Sequence, residues 1–216
     1  MNQISYNTEF CNACAYGELT VAKWLIKSYP SAVNVFANDD SAFRSACANG
    51  HLEVAKWLVE SYPQINVSAW DDYAFRSSCS NGHLEVVKWL IHLYPSAIDV
   101  SARDDYAFRH ACANGHFEVV ELLVEICSSA VNICARDNFA FRNACSNGHL
   151  KVAKLLVHIN PSAVDVSAFD NQAFRYACHY NSIEVAKWLV EIRPNYYILE
   201  LDPSQTKIQS WKIISS

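Results

Sequence analysis

The chain has 216 residues, 51% of them hydrophobic and 18% charged, and a formal net charge of −5 at pH 7. This composition indicates a folded globular protein rather than a disordered chain, and the acidic balance disfavours nucleic acid as a general partner. No apolar run is long enough to cross a bilayer, so no membrane-spanning segment is predicted.

One segment is written six times along the chain. Five copies carry an Ala-Phe-Arg triplet, and the phenylalanines recur at spacings of 33, 32, 33, 33 and 33 residues. The six positions are Phe10, Phe43, Phe75, Phe108, Phe141 and Phe174. A fixed period of this length is typical of stacked units that bury their apolar faces against one another.

Each copy begins with a predicted short helix, for which the third copy is the clearest example. Its Phe75 and Cys79 lie four residues apart, on one face of a helix predicted over 73–80. Asp72 directly precedes this helix, and we predict that its side chain caps the free N–H groups of the first turn.

A helix-ending turn is predicted next, because every glycine of the chain falls at one repeat position after the first helix. Glycine ends a helix at low cost since it tolerates the left-handed backbone conformation. In the sixth copy this position is Asn181, a residue type that also adopts the conformation. No other place in the chain is expected to require glycine. The five glycines are Gly17, Gly50, Gly82, Gly115 and Gly148.

A second helix is predicted after the turn, over Leu84–Leu93 in the third copy, with Leu84 and Val87 on its apolar face. Pro95 follows it, and proline stops the second helix in four other copies as well. An extended piece, 98–102 in this copy, is then predicted to lead to the next first helix.

The last segment, residues 194–216, departs from the repeat. Segments 196–201 and 208–214 are rich in strand-forming residues, and the connector 202–207 is turn-like. We predict a β-hairpin that caps the open face of the sixth repeat. A disordered tail is the alternative, which the apolar content of the segment disfavours.

Two antiparallel helices and a loop in 33 residues resemble the ankyrin repeat. The run Asn-Gly-His-Leu-Glu-Val-Val-Lys-Trp-Leu at 81–90 is similar to the Gly-His and Val-Val pattern of the family's second helix. The run Ala-Phe-Arg-His-Ala-Cys at 107–112 stands where the family usually has Thr-Pro-Leu-His-x-Ala-Ala. The resemblance implies an all-α repeat solenoid, an ankyrin-repeat stack of six helix-turn-helix units with hairpin-like connecting loops and the C-terminal capping hairpin.

The repeats are predicted to form one domain over residues 1–193, followed by the cap at 194–216. Their predicted bounds are about 7–36, 37–68, 69–101, 102–134, 135–167 and 168–193. The Ala-Phe-Arg variant also resembles the divergent ankyrin arrays of large DNA viruses that infect amoebae.

Six of the nine cysteines share one repeat position: Cys14, Cys47, Cys79, Cys112, Cys145 and Cys178. Equivalent positions of stacked helices lie about 8–10 Å apart, whereas a disulfide needs Cα atoms within roughly 7 Å. These cysteines are therefore predicted to be buried thiols. Together with an N-terminus that lacks the features of a signal peptide, they predict an intracellular protein.

Two columns of polar residues, one of arginine and one of histidine, are candidate binding sites. An arginine follows the phenylalanine in five copies, at Arg44, Arg76, Arg109, Arg142 and Arg175. It would form either a basic stripe for phosphate or an acidic partner, or a structural pair with the aspartate four residues earlier and with loop carbonyls. The structural interpretation is favoured because a residue present in every unit usually serves the unit.

The histidines after the turn glycines lack the paired cysteine spacing of zinc sites and are interpreted as scaffold residues. No phosphate loop, nucleophile–base pair or paired-acid constellation occurs in the sequence. No metal, cofactor or catalytic residue is therefore predicted, and the protein is expected not to be an enzyme.

Function is expected where the copies differ. In ankyrin proteins the hairpin tips and first helices line the groove that grips partners, and aromatic and arginine residues are enriched at binding hot spots. The alternative is that exposed aromatic residues merely cover neighbouring tips. The predicted partner-binding residues are Trp70, Tyr73, Arg103, Tyr106, His110, Arg136, Phe139, Phe169 and Tyr176.

The resemblance thus implies a monomeric, non-enzymatic module that binds a protein partner through tips and first helices. The alternative is an adaptor that recruits a substrate to a larger complex such as a ubiquitin ligase. If the chain is viral, the expected partner is a host protein and the expected location is the host cytoplasm.

Overall fold

The computed structural model describes residues 3–127, 131–162, 164–195 and 197–214. The chain divides into two compact units, residues 1–107 and 108–216, and the boundary falls within one helix. The helices of the first unit are α1 (Gln3–Ala15), α2 (Leu19–Ser28), α3 (Ala37–Ala48), α4 (Leu52–Ser61), α5 (Ala69–Ser80), α6 (Leu84–Leu93) and the start of α7 (Ala102–Ala113). Those of the second unit are the rest of α7, α8 (Phe117–Cys127), α9 (Ala135–Ser146), α10 (Leu150–Ile159), α11 (Ala168–His179) and α12 (Ile183–Ile192).

The described segments therefore contain twelve helices in six pairs, and strands occur there only in a short C-terminal sheet. The predicted all-α class is confirmed. The second helix of the third copy has the predicted bounds, Leu84–Leu93. Regular helical geometry in α5 begins at Tyr73, as predicted, although the helix as a whole is bounded by Ala69.

The phenylalanine column forms the centre of each unit. All six repeated phenylalanines are fully buried, and the second-helix leucines, such as Leu58 and Leu156, pack with them at no exposure. Burying one such side chain contributes about 1.5–3 kcal/mol to the free energy of unfolding. Every copy therefore gains a similar stabilisation from its own phenylalanine. The six-membered cysteine column is likewise buried and free of disulfides, as predicted.

The predicted glycine turns are confirmed, and the structure adds a second reason for glycine. Gly50 has a φ of 80°, and a Cβ atom there would lie 2.5 Å from Nδ1 of His83 in the next repeat. His51, His83 and His149 thus pack over the turn glycine of the preceding repeat, which supports their interpretation as scaffold residues.

Successive repeats are also joined by side chains that bind backbone carbonyls. Asn81 donates from Nδ2 to the Ala48 carbonyl at 2.8 Å in the first unit. Asn147 makes the same bond to the Ala113 carbonyl at 2.7 Å in the second. The asparagine before the turn glycine therefore serves the contact between repeats, since each bond reaches the previous copy.

The structure has a second left-handed segment in each of copies two to six, which the sequence did not indicate. In copies two to six, the three residues before the regular first helix all have positive φ; in the third copy these are Trp70 (58°), Asp71 (54°) and Asp72 (59°). We call these three residues the tip of each repeat. Each left-handed L-residue costs about 1–2 kcal/mol, so side-chain contacts must offset the strain of every tip.

The predicted capping role of Asp72 was also wrong. No side chain caps α5; instead Oδ2 of Asp72 accepts the backbone N–H of Asp99 at 3.2 Å, and Asp40 accepts that of Asn66 at 2.9 Å. The reason is the left-handed tip, which holds this carboxyl against the loop of the following repeat.

The loop before each tip contains a turn where an extended piece was predicted, because an Asp or Asn side chain closes it. Asp99 accepts both the backbone N–H of Ser101 at 2.9 Å and its hydroxyl at 2.7 Å. Asp165 binds Ser167 in the same way in the second unit.

The predicted C-terminal hairpin is present, although residues 196, 215 and 216 of its predicted segment lie outside the described residues. Strands β1 (Tyr197–Leu201) and β2 (Ile208–Ile213) pair antiparallel, with Tyr197 opposite Ile213. The Tyr197 ring stacks on Phe174 of the sixth repeat at 4.1 Å, and its hydroxyl donates to Oδ1 of Asn171 at 2.8 Å.

The hairpin is tied to the repeat at its connector as well. Asn181 donates from Nδ2 to the Thr206 carbonyl at 3.1 Å, and its Oδ1 accepts the N–H of Ile208 at 2.9 Å. Within the connector, Asp202 accepts the Ser204 hydroxyl and the N–H of Lys207, and these bonds lower the pKa of Asp202 to about 2. The sixth copy therefore has a use for asparagine where the others have glycine.

Candidate functional site

In copies two, three and five, the tip is held by the arginine of its own first helix. Arg76 donates from Nε to the Asp71 carbonyl at 2.5 Å and from Nη2 to the Trp70 carbonyl at 2.9 Å. Arg44 and Arg142 bind the carbonyls of their own tips in the same way. A hydrogen bond from a charged donor contributes about 1.5–3 kcal/mol, so two such bonds offset a strain of comparable size.

At Arg44 and Arg76, the structural interpretation is thus right for the carbonyls and wrong for the aspartates. Arg44 and Arg76 are buried, and within the described residues neither forms a contact ion pair with the aspartate four positions earlier. Burial lowers the pKa of Arg76, an effect to which the charge of Arg103 adds. Burial also raises the pKa of Asp72.

The arginines are covered by aromatic rings of the following repeat. The guanidinium carbon of Arg44 lies 3.8 Å from the ring centre of Trp70 and 5.3 Å from that of Tyr73. Arg76 lies 5.0 Å from the ring centre of Tyr106. In the second unit, Arg109 lies 4.9 Å from the ring centre of Phe139, and Arg142 lies 4.2 Å from that of Phe169.

Five predicted binding residues therefore also cover a neighbouring repeat, which was the alternative interpretation of the aromatic residues. They are Trp70, Tyr73, Tyr106, Phe139 and Phe169. Two of them stay exposed, Trp70 at 55% and Phe169 at 60%, whereas Tyr73, Tyr106 and Phe139 are half-buried. Because the arginine occupies one face of each ring, the exposed part of the ring is held in place without a bound partner.

Neighbouring tips of the first unit are linked directly. The indole Nε1 of Trp70 donates to Oδ2 of Asp39 at 3.0 Å. Arg103 binds Oδ2 of Asp71 with Nε at 3.0 Å and Nη2 at 2.9 Å. These bonds fix the two most prominent predicted anchors, Trp70 and Arg103, in one orientation.

The structure brings the four predicted residues of the first unit together. Trp70, Tyr73, Arg103 and Tyr106 line one open depression with a volume of about 620 Å³. Asp71 and Arg76 complete its lining. This depression combines aromatic faces, a guanidinium group and a carboxylate, which are the chemical groups of a protein-binding surface.

The five predicted residues of the second unit are placed in smaller groups. His110 and Phe139 are in ring contact at 5.5 Å. Phe169 lies over Arg142, and Tyr176 contacts Tyr180 edge to face at 5.8 Å. Arg136 occupies the first position of its tip and is exposed.

Sequence reasoning missed several residues at these surfaces. Asp39 and Asp71 were not singled out because an aspartate stands at the middle of every tip, which resembles a scaffold column. Tyr180 and His179, whose rings contact each other at 4.9 Å, were missed although both differ from the other copies. That difference between copies was the signal that could have found them.

The described residues also bear on three other kinds of feature: a metal site, a reactive thiol and a membrane-spanning helix. Within them, no group of three or more histidine, cysteine, aspartate or glutamate side chains is placed to hold a metal ion. Burial raises the thiol pKa at five of the six cysteine-column positions, to about 12 for Cys14 and Cys178, which disfavours the reactive thiolate form there. No helix in the described segments is both long and apolar enough to cross a membrane.

Paired helices repeated at a fixed period define a class of repeat proteins. Family models for this class match almost the whole array: ankyrin repeats (many copies) at residues 10–59 and 45–91, and ankyrin repeats (3 copies) at 75–170 and 108–198. The chain belongs to the ankyrin-repeat family. Ankyrin repeats generally mediate protein–protein interactions, and such proteins are typically not enzymes.

A search of curated proteins returned no match. The resemblance to the arrays of large DNA viruses therefore stays a hypothesis, as do the expected host partner and host location.

Proposed function

We propose that this protein is a non-enzymatic module that binds a protein partner through its tips and first helices. The observation that carries the proposal is the depression of the first unit, in which four residues chosen for their variation between copies lie side by side. The surface is pre-organised, because the Trp70 indole and the Arg103 guanidinium are already hydrogen-bonded. Pre-organisation lowers the cost of ordering side chains on binding.

The variable residues of the second unit are a further part of the proposal, considered by themselves. Phe169 and Tyr176 are exposed, and the buried Arg142 supports the Phe169 ring from below. Large rings that are held rigidly contribute contact area at low entropic cost. The proposed binding residues are Trp70, Tyr73, Arg103, Tyr106, His110, Arg136, Phe139, Phe169 and Tyr176.

The test is a quantitative pull-down that compares the wild type with Trp70→Ala/Arg103→Ala/Phe169→Ala. The proposal expects partners that the wild type captures and the triple variant loses. Trp24→Ala is the matched control, because Trp24 is 54% exposed but lies on the second helix of the first repeat. Identical partner lists for the wild type and the triple variant would contradict the proposal. Co-purification of ubiquitin ligase subunits would favour the adaptor function.

A further inference from the structure

We infer that the first repeat carries a surface that binds a second molecule of the same chain. The surface consists of Tyr16, Val21 and Trp24, on α2 and the turn before it, and we call it the α2 patch. The inference goes beyond the proposed function, and it replaces the monomer that the ankyrin resemblance implies with a two-fold dimer. Three observations carry it: the exposure of the patch, the position of one glutamate, and the charges at the ends of α2.

Val21 is exposed where every other repeat buries the equivalent valine. It is 42% exposed, whereas the equivalent valines are at most 2% exposed. They are Val54, Val86, Val119, Val152 and Val185. Because the same residue type occupies the same place on the same helix, the difference comes from what packs outside that helix. Repeats two to six each follow another repeat, and the first repeat does not.

Trp24 shows which contact this position makes in a later repeat. The equivalent Trp89 lies 6.4 Å from the ring of Phe43 in the repeat before it. Trp24 is instead 54% exposed, and its ring contacts Tyr29 edge to face at 5.7 Å. The contact with Tyr29 holds the indole in place while its other surfaces face solvent.

Tyr16 completes the α2 patch and is 73% exposed. It stands at the position from which Asn81 and Asn147 donate hydrogen bonds to carbonyls of the repeats before them. All three patch residues therefore occupy positions that other repeats use against a preceding neighbour. In the first repeat these positions form an apolar surface that faces solvent.

The first helix disfavours a complete further repeat as the occupant of this side. Glu9 is exposed and stands where repeats two to six carry an alanine that is at most 1% exposed. A repeat stacked as the others are would bury this carboxylate, which is strongly unfavourable for a charge without a partner. The occupant must therefore cover α2 and leave Glu9 in water, as a single helix does. The alanines are Ala42, Ala74, Ala107, Ala140 and Ala173.

The charges at the ends of α2 select a second α2 helix as that occupant. Glu18 directly precedes the helix and Lys27 lies in its last turn, and both are exposed. Two α2 helices packed antiparallel place the Glu18 end of each beside the Lys27 end of the other, an arrangement that their dipoles also favour. Val21 and Trp24 lie symmetrically about the middle of this stretch, so each Val21 is level with the other molecule's Trp24. Closed two-fold contacts of this kind are the commonest among identical chains.

The C-terminal hairpin explains why dimers are expected rather than longer chains. Tyr197 of the hairpin stacks on Phe174 and covers the outer side of the sixth repeat. Head-to-tail stacking of molecules would have to displace the hairpin from this ring. A two-fold contact through the α2 patch leaves the hairpin in place and closes the assembly at two molecules.

Sedimentation equilibrium of the full chain over a range of micromolar concentrations tests the inference. Val21→Ser/Trp24→Ser removes most of the α2 patch. Trp70→Ser is its matched control, because Trp70 is 55% exposed but lies at a tip. Two further variants, Glu18→Lys and Lys27→Glu, change only exposed charges and are measured separately and as an equal mixture. Urea unfolding verifies that each variant is folded.

The wild type and Trp70→Ser should form dimers with similar Kd values. Val21→Ser/Trp24→Ser should dimerise at least about thirtyfold more weakly, because it removes two tryptophan anchors from each dimer. Each single charge reversal should weaken its own dimer about tenfold, because it creates two like-charge pairs. The mixture of the two charge variants should form a heterodimer as tight as the wild-type dimer, since every pair is again of opposite charge.

A wild-type chain that stays monomeric at every concentration would overturn the inference. So would a dimer that Val21→Ser/Trp24→Ser leaves intact, an assembly larger than two molecules, or charge variants that associate no better mixed than alone. These outcomes leave the proposed function standing, because its binding residues lie on the tips and first helices. Loss of the dimer leaves the tips unchanged, so Trp24→Ala remains a control for the pull-down.

Discussion

The indole N–H of Trp70 donates to Oδ2 of Asp39 across 3.0 Å and joins the tips of two successive repeats. The same ring lies over Arg44, which in turn binds the carbonyls of Asn38 and Asp39. A single exposed tryptophan thus helps to hold the tip before it and presents its outer face to solvent. The scaffold and the proposed binding surface therefore share residues in this protein.

Each buried arginine of copies two, three and five binds two tip carbonyls at once, and this predicts that lysine cannot replace it. Arg76→Lys should lower the free energy of unfolding by about 2–3 kcal/mol, because an ammonium group cannot span two carbonyls and match a planar ring. Urea unfolding followed by circular dichroism measures the change.

Arg175→Lys is the matched control for this prediction, since Arg175 is half-exposed and pairs with Asp170 instead. It should cost less than about 0.5 kcal/mol, as exposed ion pairs do. Equal losses for the two variants would show that the carbonyl bonds do not support the tip.

We predict that replacing a turn glycine by alanine lowers the free energy of unfolding, by an amount that depends on the side chain packed over it from the following repeat. Gly50→Ala places a methyl group 2.5 Å from His83 on a backbone with a φ of 80°, and we expect a loss of about 2–4 kcal/mol from strain and displacement of the histidine. Gly148→Ala meets only the Ser182 hydroxyl, at 3.1 Å, and should cost less in the same unfolding measurement. A larger loss for Gly148→Ala would contradict this account.

We predict that removing the charge of Asp72 stabilises the folded protein and that this stabilisation depends on pH. Burial raises the pKa of Asp72 in the folded protein, so the folded state holds this proton more tightly than the unfolded state does. Its contribution to stability is therefore favourable below the unfolded pKa, near 3.9, and is lost as pH rises through the raised folded pKa.

Asp72→Asn should accordingly be more stable than the wild type at pH 7, and the difference should shrink as pH falls towards 4. Thermal unfolding at a series of pH values measures it. Asn138 shows that asparagine is accommodated at the equivalent position. A gain that stays constant with pH would exclude the buried charge as its cause.

We predict that glycine at position 181 destabilises the C-terminal hairpin, although glycine occupies the equivalent turn position in the other copies. Asn181→Gly favours the left-handed turn, where φ is 58°, but removes both hydrogen bonds to the hairpin. Amide hydrogen exchange at 206–208 should become at least several-fold faster, while exchange in the first unit stays unchanged. Deletion of 194–216 should in turn lower the melting temperature, since it uncovers Phe174; an unchanged melt would remove the proposed capping role.

The repeat period, the second-helix bounds and the buried columns could all be predicted from the sequence, because each follows from a pattern within one copy. Leu84–Leu93 was predicted to the residue, and the turn glycines and the hairpin were found as expected. The tips were not predicted, since Trp70 and the two aspartates after it do not favour a left-handed backbone. Their conformation depends on Arg76, which follows them in the chain and binds their carbonyls only after α5 has formed.

The sequence by itself determined the six-fold ankyrin array, since spacing and apolar periodicity are local properties of each copy. Only the tertiary structure decided what the polar columns do. Asp72 binds a loop 27 residues away and Arg44 lies beneath a ring from the next repeat, contacts that exist only when neighbouring copies are packed together. The same packing makes variable side chains, Trp70 first among them, parts of the scaffold that remain exposed to solvent.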